Sequence, residues 1–349
     1  METLVVGDRF IAANLYVEAI AGRCGPAFGP VRAVDWAGAK ATQHEVQQVM
    51  EKEGPNAVAP PHELLSAIGG ARAVCLHFAP VGEKLLHAAD ALGLVAVART
   101  GLENVDLKAA TDLGVGVVPV YGRNAAAVAE LQIGLMLAEA RDIARAHASV
   151  VTGGWRKDFP GTRIELGGRT VGMVGFGHVG AHFAGRLAGF GCRLLAYDPY
   201  VRDDVLAEHG VARVSTLDEV FRVSDFVVVQ ARHSAETDRF IGAEQFALMA
   251  PHAYFVNVSR SRLVDTAALY AALADGRIGG AGLDVHDVEP LPPDSPWRAL
   301  DNVTMTTHFG GDTQETGTTS ARLVADAVAE FAETGRVRAA VNATELGWL

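Results

Sequence analysis

Short runs of β-branched residues alternate with segments of helical periodicity along most of the chain. In the first third, the apolar runs predict strands at residues 3–6, 31–35, 73–76, 95–98 and 116–118. Between them, helical periodicity predicts helices at 83–92 and 106–113. Because this alternation is typical of parallel strands joined by right-handed crossover helices, the sequence predicts an α/β fold.

The rest of the chain continues the same alternation. A long helical pattern over residues 125–149 has a broad apolar face and is expected to be a connector or a packing surface. A second α/β series runs from Thr170 to about His308, and a last helix is predicted at 314–333. The 349 residues leave room for about two domains at roughly 150 residues each.

A glycine-rich loop follows the first strand of the second series. The sequence Gly175-Phe176-Gly177-His178-Val179-Gly180 opens a helix, and its glycines are expected to allow a tight turn, the approach of a pyrophosphate, and helix packing against the strand. The next predicted strand ends in Asp198, 18 residues after Gly180, where a carboxylate accepts hydrogen bonds from ribose hydroxyls. The motif predicts a dinucleotide, with NAD favoured over NADP, although Arg202 lies close by. The alternatives are a loop that only eases packing and a methyltransferase loop.

Composition and charge narrow the function classes. Asp and Glu number 41 against 30 Lys and Arg, a net charge of −11, so the averaged field repels nucleic acid and anionic membranes. Cys24, Cys75 and Cys192 lack metal-ligand spacing and are expected to be reduced core residues, and no metal site is predicted. Without an apolar run near ~18 residues or a basic leader, the sequence predicts a cytoplasmic protein that does not span a membrane.

Three further segments follow the glycine loop in the order of one known family. Asn257-Val258-Ser259-Arg260-Ser261-Arg262-Leu263-Val264-Asp265 is similar to its Asn-x-x-Arg-Gly-x-x-Val-Asp segment. Gly280-Ala281-Gly282-Leu283-Asp284-Val285 with Glu289-Pro290 is similar to its Leu-Asp-Val…Glu-Pro segment, and Thr307-His308-Phe309-Gly310-Gly311-Asp312-Thr313 to its His-x-Gly-x-x-Thr segment. Over roughly residues 74–342, the chain resembles the D-isomer-specific 2-hydroxyacid dehydrogenases, in a branch like the phosphoglycerate dehydrogenases without a regulatory domain.

The resemblance implies an architecture. Two flavodoxin- or Rossmann-like domains are expected, each a doubly wound parallel sheet. Residues 1–122 and 312–349 would form the substrate domain, and residues 123–311 the inserted NAD-binding Rossmann domain. The resemblance also implies a homodimer, with the 125–149 region as its interface.

Arg260, Glu289 and His308 each follow a predicted strand, where ligands gather in open α/β sheets. Hydride transfer at a hydroxyl-bearing carbon requires a group that takes the hydroxyl proton, and imidazole does this near neutral pH in either direction. His308 is therefore predicted as the acid/base, Glu289 as the carboxylate that orients it, and Arg260 as the cation that binds the substrate carboxylate. Taken alone, His308 more often fits a structural histidine, Glu289 a loop acid and Arg260 a solvated or salt-bridged arginine.

The resemblance assigns the remaining contacts by position. Cofactor contacts are expected at Gly175, Gly177, His178, Val179, Gly180, Asp198, Ala231, His233, Val258, Ser259, Arg260, Asp284, His308 and Gly310. Asp284 would bind the nicotinamide carboxamide, unless it is a buried structural acid. Substrate contacts are expected at Phe78, Ala79, Arg99, Thr100, Gly101, Arg123 and Arg260. Arg99 and Arg123 are candidates for binding extra hydroxyls or a phosphate, and an interdomain salt bridge is the alternative for Arg99.

Two departures from the family pattern bear on the substrate. Ser261 replaces the family glycine, and we expect its Cβ to restrict positive φ and to crowd the substrate side. The loop from Arg99 to Asp106 is shorter than in phosphoglycerate dehydrogenases, which argues against 3-phosphoglycerate. The sequence predicts an NAD-dependent oxidoreductase acting on a small 2-hydroxy or 2-oxo carboxylic acid. The alternatives are a dehydrogenase of a polyhydroxy or phosphorylated sugar acid and, in another class, an NAD-sensing scaffold similar to the family's corepressors.

Overall fold

A computed structural model of the chain describes residues 1–26, 28–159, 161 and 163–349. Its strands are β1 (Thr3–Gly7), β2 (Val31–Asp35), β3 (Ala73–Leu76), β4 (Leu94–Val97), β5 (Gly116–Pro119), β6 (Thr170–Val174), β7 (Arg193–Tyr197), β8 (Val211–Arg213), β9 (Phe226–Val229), β10 (Tyr254–Asn257), β11 (Gly280–Leu283) and β12 (Val303–Met305). Its helices are α1 (Ala13–Cys24), α2 (Lys40–Glu53), α3 (His62–Ala67), α4 (Glu83–His87), α5 (Leu107–Asp112), α6 (Ala125–Ala140), α7 (Ile143–Val151), α8 (His178–Leu187), α9 (Asp203–Glu208), α10 (Leu217–Val223), α11 (Ala243–Leu248), α12 (Thr266–Ala274) and α13 (Gln314–Thr334).

The Cα positions divide the chain into two compact units. Unit 1 comprises Met1–Asn124 and Asp312–Leu349, and unit 2 comprises Ala125–Gly311. The strands of unit 1 form a parallel sheet of order β2-β1-β3-β4-β5, and those of unit 2 a parallel sheet of order β12-β11-β10-β9-β6-β7-β8. In each sheet the order reverses beside the first strand, as in doubly wound folds. The predicted fold class is confirmed.

Helices cover both faces of the unit 1 sheet, which explains why its strands are continuous apolar runs. Along β1, Leu4 and Val6 belong to one core, whereas Val5 belongs to another together with Tyr16 of α1 and Val328 of α13. Successive strand residues point to opposite faces, so β1 contributes to both cores. The carboxyl edge of this sheet carries the loops in which the substrate residues are predicted.

The unit 2 sheet is covered in the same way. Val171 and Met173 of β6 pack in a core with residues of α6 and α8. Val227 and Val229 of β9 pack in a second core with residues of α10, α11 and α12. Helix α8, which the glycine loop opens, therefore lies on the same face as α6, and α12 lies on the opposite face.

Two predicted helices differ in the structure. The pattern over residues 125–149 is two helices, because the backbone at Asp142 takes a left-handed conformation with φ +55°. Arg145 donates a hydrogen bond to Glu139 at 2.7 Å across this break. The helix predicted at 83–92 ends at His87, because the following segment returns to the sheet, where the backbone of Leu94 pairs with Arg72.

Among the residues that the structure describes, none of the helices combines the length and apolar character that crossing a lipid bilayer requires.

Candidate active site

Two of the loop glycines are required by close packing. Gly175 has φ +90°, and a Cβ there would lie 2.7 Å from the backbone nitrogen of Ala231, which follows β9. A Cβ on Gly180 would lie 2.8 Å from the ring of Phe176 and 2.9 Å from Gln230 Oε1. Gly180 therefore lets α8 approach the residues just after β6 and β9, rather than the strand itself as expected.

Gly177 has the opposite environment. It is exposed at the N-cap of α8, and a Cβ there would meet no atom within 4 Å. His178 is exposed and Val179 half-buried in the first helical turn. Open space in front of free backbone N–H groups at a helix start fits the negative charge of a pyrophosphate.

Asp198, just after β7, joins the glycine loop to the next turn. Its Oδ2 accepts a hydrogen bond from Phe176 N at 2.8 Å, and its Oδ1 accepts from Tyr200 N at 2.8 Å and Val201 N at 3.1 Å. A carboxylate offers about four acceptor positions, so these three bonds leave capacity for a hydroxyl donor. The site thus fits an adenosine ribose, and Asp198 has a structural role as well.

Two arginines lie in this region. The Nε of Arg202 donates to Asp204 Oδ1 at 2.9 Å, so a neighbouring acid offsets its charge. Arg213, which was not predicted from the sequence, donates to the backbone oxygen of Asp198 at 2.7 Å and supports the same turn.

The turn that carries Arg260 is built by Asn257 at the end of β10. The Asn257 side chain is buried, with Oδ1 accepting from Ser259 N at 3.0 Å and Nδ2 donating to the Arg260 oxygen at 3.0 Å. Ser259 Oγ donates to the Val229 oxygen at 2.9 Å, which ties the turn to β9. Arg260 is therefore held at its backbone while its side chain is exposed.

Glu289 and His308 are in direct contact. Oε2 of Glu289 lies 2.7 Å from His308 Nδ1, and its Oε1 accepts from His286 N at 2.9 Å. Burial raises the pKa of Glu289, but the hydrogen bonds from His308 and His286 and the charge of the imidazoles outweigh it, and the pKa lies below its usual value. An ionised carboxylate only accepts hydrogen bonds, so Nδ1 carries a hydrogen. Nε2 is therefore the His308 nitrogen that can gain and lose a proton.

The backbone at His308 is strained. Its φ of +59° is in the left-handed region, which costs a non-glycine residue on the order of 1–3 kcal/mol. Buried Asp284 holds this turn, because it accepts hydrogen bonds from Thr306 Oγ1 at 2.5 Å, Phe309 N at 3.2 Å and Gly310 N at 2.9 Å. These are the contacts of a buried structural acid, the alternative given for Asp284. Its contact with a nicotinamide stays a prediction.

The restriction of positive φ expected at Ser261 has no consequence in the structure, and crowding of the substrate side stays a prediction. Ser261 begins a short 3-10 helix, Ser261–Leu263, and does not have positive φ, so its Cβ fits an ordinary right-handed turn. The next residue, Arg262, forms an ion pair with Asp238 at 3.0 Å. Asp238 also lies 2.8 Å from His233 Nε2, which ties that predicted cofactor residue to the Arg262 turn.

Several predicted substrate residues of unit 1 lie together. The Phe78 ring stacks on His77 with centroids 3.7 Å apart, and the Arg99 guanidinium lies 4.9 Å from the Phe78 ring. Buried Asn104 donates to the Ala79 oxygen at 3.0 Å and to the His77 oxygen at 3.2 Å. These contacts fix the loop after β3.

A buried pair beside this loop was not predicted from the sequence. His77 Nδ1 lies 3.1 Å from Asp8 Oδ2, and both side chains are 2% exposed. Burial lowers the pKa of His77 to about 4, against the hydrogen bond and the charge of Asp8. The ring is therefore neutral at physiological pH, with its Nδ1–H donating to an ionised carboxylate.

Arg99 and Arg123 are close enough to affect each other. Burial, and then the charge of Arg99, lower the pKa of Arg123 to about 10, and Arg123 donates to Ser320 Oγ at 3.4 Å. Arg99 has ion pairs with Glu103 at 3.1 Å and Glu51 at 3.5 Å, both within unit 1.

The two predicted substrate residues that follow Arg99 have structural contacts. Thr100 Oγ1 donates to the Val120 oxygen at 3.0 Å. A Cβ on Gly101 would overlap the Glu103 carboxylate, so this glycine makes room for the Arg99 ion pair.

Known proteins resemble the chain in sequence. The family model described as "D-isomer specific 2-hydroxyacid dehydrogenase, NAD binding domain" matches residues 133–310. The chain is 39% identical over 249 residues to a D-3-phosphoglycerate dehydrogenase of Methanocaldococcus jannaschii, covering 71% of this chain and 47% of that protein. It is 38% identical over 255 residues to a glyoxylate reductase of Korarchaeum cryptofilum, covering 72% of this chain and 76% of that protein. The chain thus spans about half the length of the phosphoglycerate dehydrogenases it matches.

Solved structures resemble both units. The TT0316 protein of Thermus thermophilus matches 96% of this chain and 97% of its own with a TM-score of 0.70 and 27% identity. The D-lactate dehydrogenase of Escherichia coli matches 97% of this chain and 98% of its own with a TM-score of 0.67 and 26% identity. These proteins are enzymes where their names state a function, which does not favour the scaffold alternative.

Proposed function

The chain belongs to the D-isomer specific 2-hydroxyacid dehydrogenase family and contains its NAD-binding domain, and from this premise we propose that it is an NAD-dependent oxidoreductase acting at C2 of a small 2-hydroxy or 2-oxo carboxylic acid. The observation that carries the proposal is the 2.7 Å contact between His308 Nδ1 and Glu289 Oε2. It joins a group that exchanges protons to a carboxylate that fixes its tautomer. Both residues follow strands of the NAD-binding domain, as does Arg260.

The residues of unit 2 fit the cofactor. The open N-terminus of α8 at Gly177 would hold the pyrophosphate, and Asp198 would accept a hydrogen bond from the adenosine ribose. Asp198 disfavours a 2′-phosphate at that position because two anionic groups would meet. When bound, the nicotinamide ring supplies the hydride or accepts it.

Two side chains would act on the substrate, and a third would act through one of them. Nε2 of His308 takes the hydroxyl proton during oxidation and returns it to the carbonyl oxygen during reduction. Glu289 stabilises the imidazolium and holds the ring through Nδ1. The Arg260 guanidinium binds the substrate carboxylate, because its planar donors match the two carboxylate oxygens.

The finer substrate class is proposed from unit 1. The charge of Arg99 lowers the pKa of Arg123, so the two guanidinium groups lie in the same region, and Arg123 is half-buried. Glu103 and Glu51 already pair with Arg99, so an anionic substrate would bind here by sharing or replacing these carboxylates. Two guanidinium groups in one region support an acid with further hydroxyls or a phosphate as the substrate. Phe78 and Ala79, in the loop held by Asn104, would contact its carbon chain.

Two further predictions from the sequence are kept as proposals. Ile143 within the predicted 125–149 interface is exposed, and so are Val150, Val151 and Trp155 just beyond it, which supports a homodimer that buries this region. A sedimentation measurement of wild type against Val151→Asp tests it, with a dimer expected only for wild type. The cytoplasmic location also stays a prediction.

The proposed activity is tested by following NADH oxidation with a panel of 2-oxo acids. The panel compares glyoxylate, pyruvate and hydroxypyruvate with polyhydroxy and phosphorylated 2-oxo acids. We expect turnover of at least one acid, with a higher kcat/KM for those that carry an additional hydroxyl or phosphate. NADH binding without turnover of any acid would contradict the proposal and favour the scaffold.

A further inference from the structure

A cavity of about 340 Å³ lies beside the turn that carries Arg260, on the α12 side of the unit 2 sheet. The alternating directions of the side chains along β11 identify this face of the sheet. A Cβ on Gly282 would lie 2.7 Å from Leu135 of α6, whereas Leu283 and Val285 line the cavity. Because α8 shares the face of α6, the cavity is on the opposite face from the helix that the glycine loop opens.

The cavity has mainly apolar walls. Leu269 of α12, Leu283, Leu291 and Trp297 contribute to them. The Trp297 ring is held edge-to-face by Tyr270 of α12, with centroids 5.4 Å apart. The volume of the cavity is within the range of roughly 300–1,000 Å³ that is usual for small-molecule sites. The walls therefore suit a compact ligand with an apolar body.

The lining carries two carboxylates and one imidazole, that of His286, whose Nε2 lies 2.9 Å from the backbone oxygen of Thr306. Asp287 and Asp294 line the cavity, and Asp287 also accepts a hydrogen bond from Thr266 Oγ1. None of the described residues that line it is a lysine or arginine. The neighbouring Arg298 donates to the backbone oxygens of Leu291 and Pro292 at 2.8 and 2.9 Å, so the loop carbonyls hold its guanidinium.

We propose that this cavity is a binding site for a small organic cation with an apolar body, such as an aryl-alkyl ammonium. The two carboxylates attract the cationic group, and the indole of Trp297 adds an aromatic surface that favours cations. Arg260, Glu289 and His308 are not among the lining residues, so the site is separate from the proposed catalytic groups. Binding at this site does not depend on the proposed reaction.

The loops that form the cavity also carry two of the proposed catalytic residues. Arg260 lies between the lining residues Asn257 and Ser261, and Glu289 lies between Val288 and Leu291. An occupant therefore contacts the same turns that fix these side chains.

The test titrates the full chain with 2-phenylethylammonium, 2-phenylethanol and 3-phenylpropanoate, which share a ring and differ in charge. Binding is measured as the change in tryptophan fluorescence of the wild type minus the change in Trp297→Phe. This difference reports on Trp297 alone, so an anion bound elsewhere does not contribute. We expect the cation to bind about tenfold or more tightly than the anion, with the alcohol between them. Equal affinities, or no such signal up to about 10 mM probe, would overturn the proposal.

Charge variants separate the cavity from general attraction to an acidic protein. Asp294→Asn is expected to weaken the cation about threefold to tenfold and to leave the alcohol unchanged. Asp287→Asn is expected to weaken the cation further. The test rests on Asp294→Asn, because Asp287 also accepts a hydrogen bond from Thr266 and its substitution could disturb the loop. The matched control Asp275→Asn, at an exposed acid at the end of α12, should change nothing. A cation affinity that Asp294→Asn does not reduce contradicts the proposed site.

Discussion

His308 Nδ1 lies 2.7 Å from Glu289 Oε2, and the histidine that makes this contact has a left-handed backbone. The strained turn places the imidazole against Glu289. Asp284 stabilises this turn, because it accepts hydrogen bonds from residues on either side of His308. A strained residue persists only where its surroundings over-determine it. Glu289 thus holds the imidazole ring, and Asp284 holds the backbone that carries it.

The charge of Glu289 should set the pH dependence of turnover. Its pKa lies below the usual 4.5, so it stays ionised above about pH 5 and stabilises the imidazolium throughout the neutral range. Glu289→Gln keeps an acceptor for Nδ1 but removes the charge. We expect kcat for 2-oxo acid reduction to fall about tenfold to a hundredfold, and its pH of half-maximal rate to move lower. A purely structural role would lower the melting temperature and leave the pH profile unchanged.

The glycine loop offers a matched pair of substitutions. Gly175→Ala places a Cβ against the Ala231 backbone at positive φ, and we expect a loss of about 2–4 kcal/mol in the free energy of unfolding. Gly177→Ala meets no atom within 4 Å, so it should cost less than about 1 kcal/mol. If a pyrophosphate approaches Gly177, this second variant weakens NADH binding about tenfold or more while it stays folded. Urea denaturation and NADH fluorescence titration measure both effects, and unaltered NADH affinity of Gly177→Ala would argue against the phosphate position.

Removing the Asp284 carboxylate should loosen the turn of His308. In Asp284→Ala, the buried Gly310 N and the partly buried Thr306 Oγ1 and Phe309 N lose the carboxylate as an acceptor, so we expect the free energy of unfolding to fall by about 1–3 kcal/mol. Turnover should fall as well, since His308 is no longer held. Thr306→Val removes only one of these bonds and should have a smaller effect on both. Normal stability of Asp284→Ala in urea denaturation would show that other contacts hold the turn.

The neutral His77 should make unit 1 sensitive to acid. The unfolded imidazole binds a proton near pH 6.5, whereas the folded one does so only near pH 4. Between these values the unfolded chain binds more protons, so stability falls as the pH falls from 6.5 to 4, by about 3 kcal/mol. His77→Asn should flatten this slope in urea denaturations at pH 7, 6 and 5. The exposed His62→Asn is the control, and an equal slope in both variants would exclude His77 as the source.

The parallel sheets could be predicted because their signal is local, whereas the candidate residues Arg260, Glu289 and His308 were found from motifs that resemble those of the family. Strands buried on both faces appear as apolar runs, and the contact between Glu289 and His308 joins residues that each follow such a strand. The break at Asp142 could not be predicted, since helical periodicity continues on both sides of it. The His77–Asp8 pair joins residues 69 positions apart and gives no periodic signal. Asn257, in contrast, could have been found from its spacing to Arg260, which is typical of side-chain bonds across a turn.

The proposed acid/base role of His308 is tested most directly by the kcat of His308→Asn for 2-oxo acid reduction. Asparagine tolerates the left-handed backbone, so the variant should stay folded and bind NADH. The control is His252→Asn, which removes an exposed histidine of the same unit. We predict a kcat about 10²–10⁴-fold below wild type for His308→Asn and near wild type for the control. A near-normal kcat in His308→Asn would contradict the account.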